Sequence, residues 1–231
     1  MEFDIITIFP EIFSAKSGPA SGGNSCGYFS ASIIKRAIEK KIIEINVHNL
    51  RYYALDRHKT VDDTPYGGGA GMILKIEPIY KTIKSIKSIK SKAGKTRVIL
   101  FSAKGKKYTQ KDARRLSGYD NLILICGRYE GVDERAAKYI ADEEISIGDY
   151  VLTGGEIPAM AIVDSVARLL PGVLGNKKSI KEESHRTEGY LEFPQYTKPE
   201  IYNKWKVPKV LLSGNHKEIE LWRIKNSKIK K

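Results

Sequence analysis

Two cysteines, Cys26 and Cys126, are too few and too far apart for a disulfide framework or a thiolate zinc site. The four histidines, His48, His58, His185 and His216, show no metal-ligand spacing. No apolar run approaches the roughly 20 residues of a membrane span. The opening stretch carries Glu2 and Asp4 where a signal peptide would be basic. These absences exclude a disulfide-stapled, zinc-built or membrane-spanning protein, and lead to the expectation of a soluble chain in the cytoplasm. What the sequence has in excess is positive charge. Its 40 Lys and Arg against 27 Asp and Glu leave +13, a balance that favours a polyanionic partner such as nucleic acid through counterion release. The same excess would also suit a solvated basic surface.

The 231 residues are enough for a sizeable core. Phe3 to Phe9 reads as a buried strand stopped by Pro10. Residues 17–25 are Ser- and Gly-rich, a flexible loop by composition. Ile33, Ile34, Ala37 and Ile38 mark one face of a helix opened by Ser30 or Ser32. Ile43, Ile45 and Val47 alternate with polar residues as a strand does. Val98 to Phe101 and Leu122 to Cys126 are almost wholly apolar, as in a parallel sheet covered on both faces. A shorter strand is expected near Ile145 to Ile147. Each of these three leads into a loop with glycine: Ser102 to Gly105, Gly127 to Gly131, and Gly148 to Gly155. In a parallel sheet such loops collect at the strands' carboxyl ends, where ligands bind.

Other segments have duller readings. The Lys-Ser-Ile repeat within 81–95 suits a surface helix with a solvated basic face. Gly67 to Gly71 lacks the Gly-Lys-Ser/Thr ending of a phosphate loop and reads as a loop whose backbone passes close to something. Glu156 to Leu170 is expected to be helical, with Pro158 in its first turn and an Asp164–Arg168 pair one turn apart. A functional role for Arg168 stays open beside that pairing. Asn176 to Thr187 reads as a linker, and by themselves its Glu182, Glu183, His185 and Arg186 are solvated charges. Asn215, three residues before Glu218, marks the start of a helix that turns Ile219, Trp222 and Leu212 inward. Lys225, Lys228, Lys230 and Lys231 give it a basic end.

Several stretches, taken together and in order, resemble the bacterial tRNA (guanine-N1)-methyltransferases of the SPOUT superfamily. They are Ile8 to Phe13, Asp56 to Asp63 with Pro65 to Gly69, and Cys126 to Arg135. Ser146 to Leu152 with Gly154 to Glu156, Asp164 to Val166 with Arg168, and Leu212 to His216 complete the set. The resemblance implies an α/β fold with a SPOUT-type parallel sheet, a deep trefoil knot and a small C-terminal helical domain. It divides the chain into a methyltransferase domain (1–175), an interdomain linker (176–187) and a short helical tRNA-binding domain (188–231). It further implies a homodimer with active sites between subunits, tRNA as substrate, and S-adenosylmethionine as methyl donor to N1 of guanosine 37.

Position by position, the resemblance places the donor against Ser102, Gly127, Tyr129, Glu130 and Gly131, then Ile147, Gly148, Asp149, Tyr150, Val151 and Leu152, with Gly154, Gly155 and Pro158. Guanine N1 is protonated, so transfer calls for a general base at N1, a cation at O6 and an in-line methyl group. The resemblance gives the cation role to Arg168 and the base to Glu183, with Glu182 as the neighbouring candidate. The sequence departs from the family here, having Glu183-Ser184-His185 where an Asp is followed by Ser-Phe, and Ala103 where proline is usual. The segment 17–29 is longer than usual, and the chain ends sooner than longer members, implying a reduced C-terminal domain. Magnesium dependence is a family expectation that no ligand motif in the sequence marks. Two other readings are a ribose 2′-O-methyltransferase of the same superfamily and an RNA-binding relative without catalysis.

Overall fold

The computed structural model describes residues 1–13, 27–89, 94–175 and 183–229. The expected loop at 17–25, Lys90, residues 176–182 of the linker with Glu182, and Lys230 and Lys231 lie outside the described residues. The chain divides into two compact units, Met1–Leu174 and Gly175–Lys231.

The first unit is built on a five-stranded sheet, all of its pairs parallel, in the order β2-β1-β6-β5-β7. The strands are β1 (Glu2–Thr7), β2 (Glu44–Asn49), β5 (Thr96–Lys107), β6 (Asn121–Ile125) and β7 (Glu143–Ser146). A small antiparallel pair, β3 (Asp62–Asp63) and β4 (Ile73–Leu74), lies outside it. Every residue of β6 is buried, which explains why its sequence is apolar without alternation. Leu122 and Leu124 join one core with α1 (Ser32–Glu39), α3 (Gln110–Leu116) and α5 (Glu156–Ala167). Ile123 and Ile125 join the other, with α2 (Ile76–Ile89) and α4 (Glu134–Tyr139). The period of two along β6 thus feeds two cores, one on each face.

The sequence places these elements well and their ends less well. Helix α1 starts at Ser32, one of the two expected positions, but its N-cap is Ala31 with no side-chain cap, and the Ser30 hydroxyl bonds the Gly27 carbonyl at 2.6 Å. Helix α2 buries Ile83 and Ile86 and exposes Lys84 and Lys87, the amphipathic surface helix that the repeat predicts. The stretch Ser102 to Gly105 does not leave the sheet as a loop. It is a bulge inside β5: pairing with β7 breaks after Phe101 and resumes at Lys106 opposite Ile145. Gly105 permits this, since a Cβ there would stand 2.7 Å from the Glu144 carbonyl carbon.

Among its described residues the second unit holds two short antiparallel strand pairings and two helices. β8 (Tyr190–Leu191) pairs with β11 (Lys228–Ile229), and β9 (Ile201–Tyr202) with β10 (Trp205–Lys206). The helices are α6 (Lys209–Leu212) and α7 (His216–Asn226). Asn215 caps α7 by accepting from the Glu218 backbone N–H at 3.4 Å. Ile219 and Trp222 are half-buried as expected, whereas Leu212 is 47% exposed. No helix among the described residues is long and apolar enough to cross a membrane.

Candidate active site

A cavity of about 590 Å³ opens at the carboxyl ends of β6 and β7 and the bulge of β5. It lies where a parallel sheet presents its loops, and its size is ordinary for a small-molecule site. All of the expected donor-pocket residues line it except Asp149, whose exposed carboxylate pairs with Lys107 instead. The three glycine-bearing segments read from the sequence therefore do converge on one concave surface.

The wall is held by contacts that the sequence did not announce. Gly155 donates its N–H to the Gly127 carbonyl at 2.9 Å, and Arg128 bridges to Gly154, so the segments after β6 and β7 are stitched together. Gly155 packs onto β6 so closely that a Cβ would sit 2.6 Å from the Cys126 Cα. Tyr129 adopts a left-handed φ of 60° to turn the first of these segments. On the other side, Met72 and Leu74 exchange backbone bonds with Glu130, Gly131 and Asp133. That ladder anchors the Gly67–Gly71 loop, in which Gly67, Gly68, Gly69 and Gly71 all have positive φ. At Gly71 a Cβ would meet the Glu130 side chain at 2.5 Å, so the close approach expected of this loop is to a cavity residue.

Beneath the wall lies a buried ion pair. Glu156, 2% exposed, accepts from the Thr7 hydroxyl at 2.7 Å and lies 2.9 Å from Arg128 Nε. The Arg128–Glu156 contact is not aligned as a hydrogen bond, and Arg128 also donates to the Thr153 carbonyl at 3.3 Å and covers the Phe9 ring at 4.7 Å. Arg128, Glu156 and Thr7 thus join the end of β1 to both cavity segments. Their signal in the sequence was only the Gly-Arg-Tyr-Glu-Gly and Gly-Gly-Glu context, which says nothing of mutual contact. Burial, then the charge of Glu156, pushes the Cys126 thiol well above its usual range, so this cysteine is an inert core group.

Arg168 sits at the C-cap of α5, half-buried. Its expected partner Asp164 faces Tyr28, whose hydroxyl is pushed up by burial and by that carboxylate. Neighbouring Ser165 bonds the Tyr108 hydroxyl at 2.7 Å, and burial takes the Tyr108 pKa to about 12. Helix α5 is therefore pinned on both sides just before Arg168. Glu183 belongs to the other unit, where it is half-buried in a turn closed by the Arg186 N–H on its carbonyl at 3.2 Å. The end of the expected linker is not simply solvated. His185 donates its N–H to the Tyr190 carbonyl, Ser184 accepts from the Glu192 N–H, and the Arg186 guanidinium lies 4.0 Å from the Tyr190 ring centre. Among the described residues no group of three or more His, Cys, Asp or Glu could hold a metal ion.

An all-parallel sheet with a glycine-walled cavity at its carboxyl edge defines an α/β protein with a small-molecule site. The comparisons with known proteins make the class particular. The family model described as tRNA (Guanine-1)-methyltransferase TrmD matches residues 1–231. A tRNA (guanine-N(1)-)-methyltransferase of Dictyoglomus turgidum is 53% identical over 98% of this chain and 85% of its own. One of Clostridioides difficile is 48% identical over 98% of this chain and 92% of its own. The crystal structure of a tRNA (m1G37) methyltransferase from Aquifex aeolicus is similar at a TM-score of 0.76 and 41% identity, covering 97% of this chain and 88% of that one. The chain belongs to the tRNA (guanine-1)-methyltransferase family.

Proposed function

We propose that this protein methylates N1 of guanosine 37 in tRNA, with S-adenosylmethionine as donor. The observation that carries the reading is the convergence of the family's donor-pocket positions on one cavity. The fit is chemical as well as geometric. Ile145, Ile147, Leu152 and Pro158 offer apolar surface for a purine ring, while Ser102 and Glu130 bring polar groups. The backbone N–H groups of Tyr150, Val151 and Leu152 make no hydrogen bond to the protein among the described residues, leaving donors for a base edge. When bound, S-adenosylmethionine supplies an electrophilic methyl group. Gly154 and Gly155 pack against Arg128, Glu156 and Cys126 where a Cβ would clash, which closes the backbone wall of the cavity.

Arg168 is assigned to guanine O6, where its guanidinium stabilises the charge that develops as the N1 proton leaves. Glu183 is assigned as the base that takes that proton, with Glu182 the alternative one residue away. An Arg128-to-Glu156 clamp under the cavity keeps the wall in place while these groups act. We assign the active sites to the interface of a homodimer, with Glu183 contributed by the opposite subunit. We assign the family's trefoil knot to the carboxyl-terminal part of the first unit, the linker to 176–187 and tRNA contact to the small C-terminal domain. A cytoplasmic location follows from the substrate. No group of three or more His, Cys, Asp or Glu among the described residues could hold a metal ion, and magnesium, expected from the family, is assigned no protein ligands.

The test is product identity. Labelled S-adenosylmethionine and an unmodified tRNA transcript should yield 1-methylguanosine on nucleoside analysis. A 2′-O-methylated nucleoside would keep the fold and overturn the chemistry. Donor binding with no methylated product would leave an RNA-binding relative.

A further inference from the structure

The cavity holds one carboxylate that the family assignment leaves without a task. Glu144 lies on β7, one residue before the buried Ile145, and lines the cavity. Its alternation along the strand sets it on the face opposite Glu143, which is consumed by Arg97 and Arg115 at 2.9 and 2.7 Å. Glu144 has no such partner among the described residues. Its Oε2 is buried and makes no hydrogen bond among the described residues. Lys104, whose charge Glu144 feels through space, bonds Glu134. The backbone around it is fixed by the close pass of Gly105 against the Glu144 carbonyl carbon and the Ile145 nitrogen.

A buried acceptor with no partner destabilises a folded protein unless something else satisfies it, and because Glu144 belongs to the cavity lining, a bound ligand is the group placed to do so. Acidic side chains at the ligand-binding edge of a parallel sheet can accept from the vicinal hydroxyls of a ribose, and Glu144, though second in its strand, lines the cavity at that edge. We propose that Glu144 is the ribose-reading residue of the donor site, accepting from the 2′- and 3′-hydroxyls of the adenosine moiety. The proposal rests on the donor reading above and names the part of the donor that this residue selects.

Two signatures separate this role from a structural one. Removing the carboxylate in Glu144→Met relieves an orphaned acceptor, so the ligand-free protein melts at the same temperature or higher. The same change weakens binding of S-adenosylhomocysteine by roughly tenfold to a hundredfold, the range of a hydrogen bond to a charged group. Calorimetry with S-adenosylhomocysteine and its 2′-deoxy and 3′-deoxy forms completes the cycle. Wild-type protein is expected to lose affinity for one or both deoxy forms, and Glu144→Met to bind all three alike. Deoxy penalties that persist undiminished in Glu144→Met, or unchanged affinity of that variant for S-adenosylhomocysteine, overturn the assignment. If the variant loses the homocysteine compound but binds 5′-methylthioadenosine as wild type does, the carboxylate reads the amino-acid end and the proposal is wrong. Failure of wild-type protein to bind S-adenosylhomocysteine at all refutes the donor reading, and this inference with it.

Discussion

In the proposed reaction Arg168 supplies charge at O6 and Glu183 the base at N1, so their substitutions should fail differently from those in the cavity. Arg168→Ala is expected to lower single-turnover methyl transfer by at least about a hundredfold, the scale of one lost charge-stabilising contact. Donor affinity by calorimetry should change little, because Arg168 caps α5 outside the cavity lining. Glu183→Gln should depress transfer by roughly a hundredfold or more while leaving donor binding intact. Near-normal rates in that variant would move the base to Glu182. Gly155→Ala is a contrasting case. Its Cβ would stand 2.6 Å from the Cys126 Cα, a backbone atom that cannot swing aside. A stability loss of about 1–3 kcal/mol in urea titration, with weaker donor binding, is the expected outcome.

The elements that carry the site show what was readable in advance. β6 and β5 could be recognised from their apolar runs, and α2 from its three-residue spacing, because burial imposes those patterns on sequence. The bulge at Ser102 to Gly105 was not, since it depends on Gly105 meeting the backbone of a strand some 40 residues away. The same holds for Arg128, Glu156 and Thr7, whose contact spans 149 residues between Thr7 and Glu156 and leaves no local periodicity. The donor-pocket positions came from the resemblance, and the glycine-bearing segments, one a bulge within β5 and two following β6 and β7, pointed to the same place. Breaking the clamp tests its importance. Glu156→Ala leaves Arg128 without its charge partner, and a loss of about 3–5 kcal/mol in denaturant unfolding is expected for a pair this enclosed. A loss under about 1 kcal/mol would show that the two segments hold together through backbone bonds alone.

Across the whole molecule, charge sets both stability and partner. Asp112 and Glu143 are carboxylates that burial would raise. Lys106 and Thr109 at Asp112, and Arg115 and Arg97 at Glu143, bring both below the ordinary range. A depressed folded pKa stabilises the protein above the unfolded value of about 4 and ceases to do so as pH falls through the folded one. Melting temperature should therefore drop as pH is lowered beneath about 4, and Glu143→Gln should flatten that part of the curve. The net charge of +13 makes tRNA affinity fall steeply with salt, whereas affinity for S-adenosylhomocysteine should vary far less. Comparable salt slopes for both ligands would contradict a phosphate-contacting surface.

The most direct test of the account is single-turnover methyl transfer to two tRNA transcripts that differ only at position 37. The account predicts 1-methylguanosine at that position from the guanosine transcript and no product from the one carrying adenosine. Equal methylation of both, or modification mapped to another nucleotide, would contradict it.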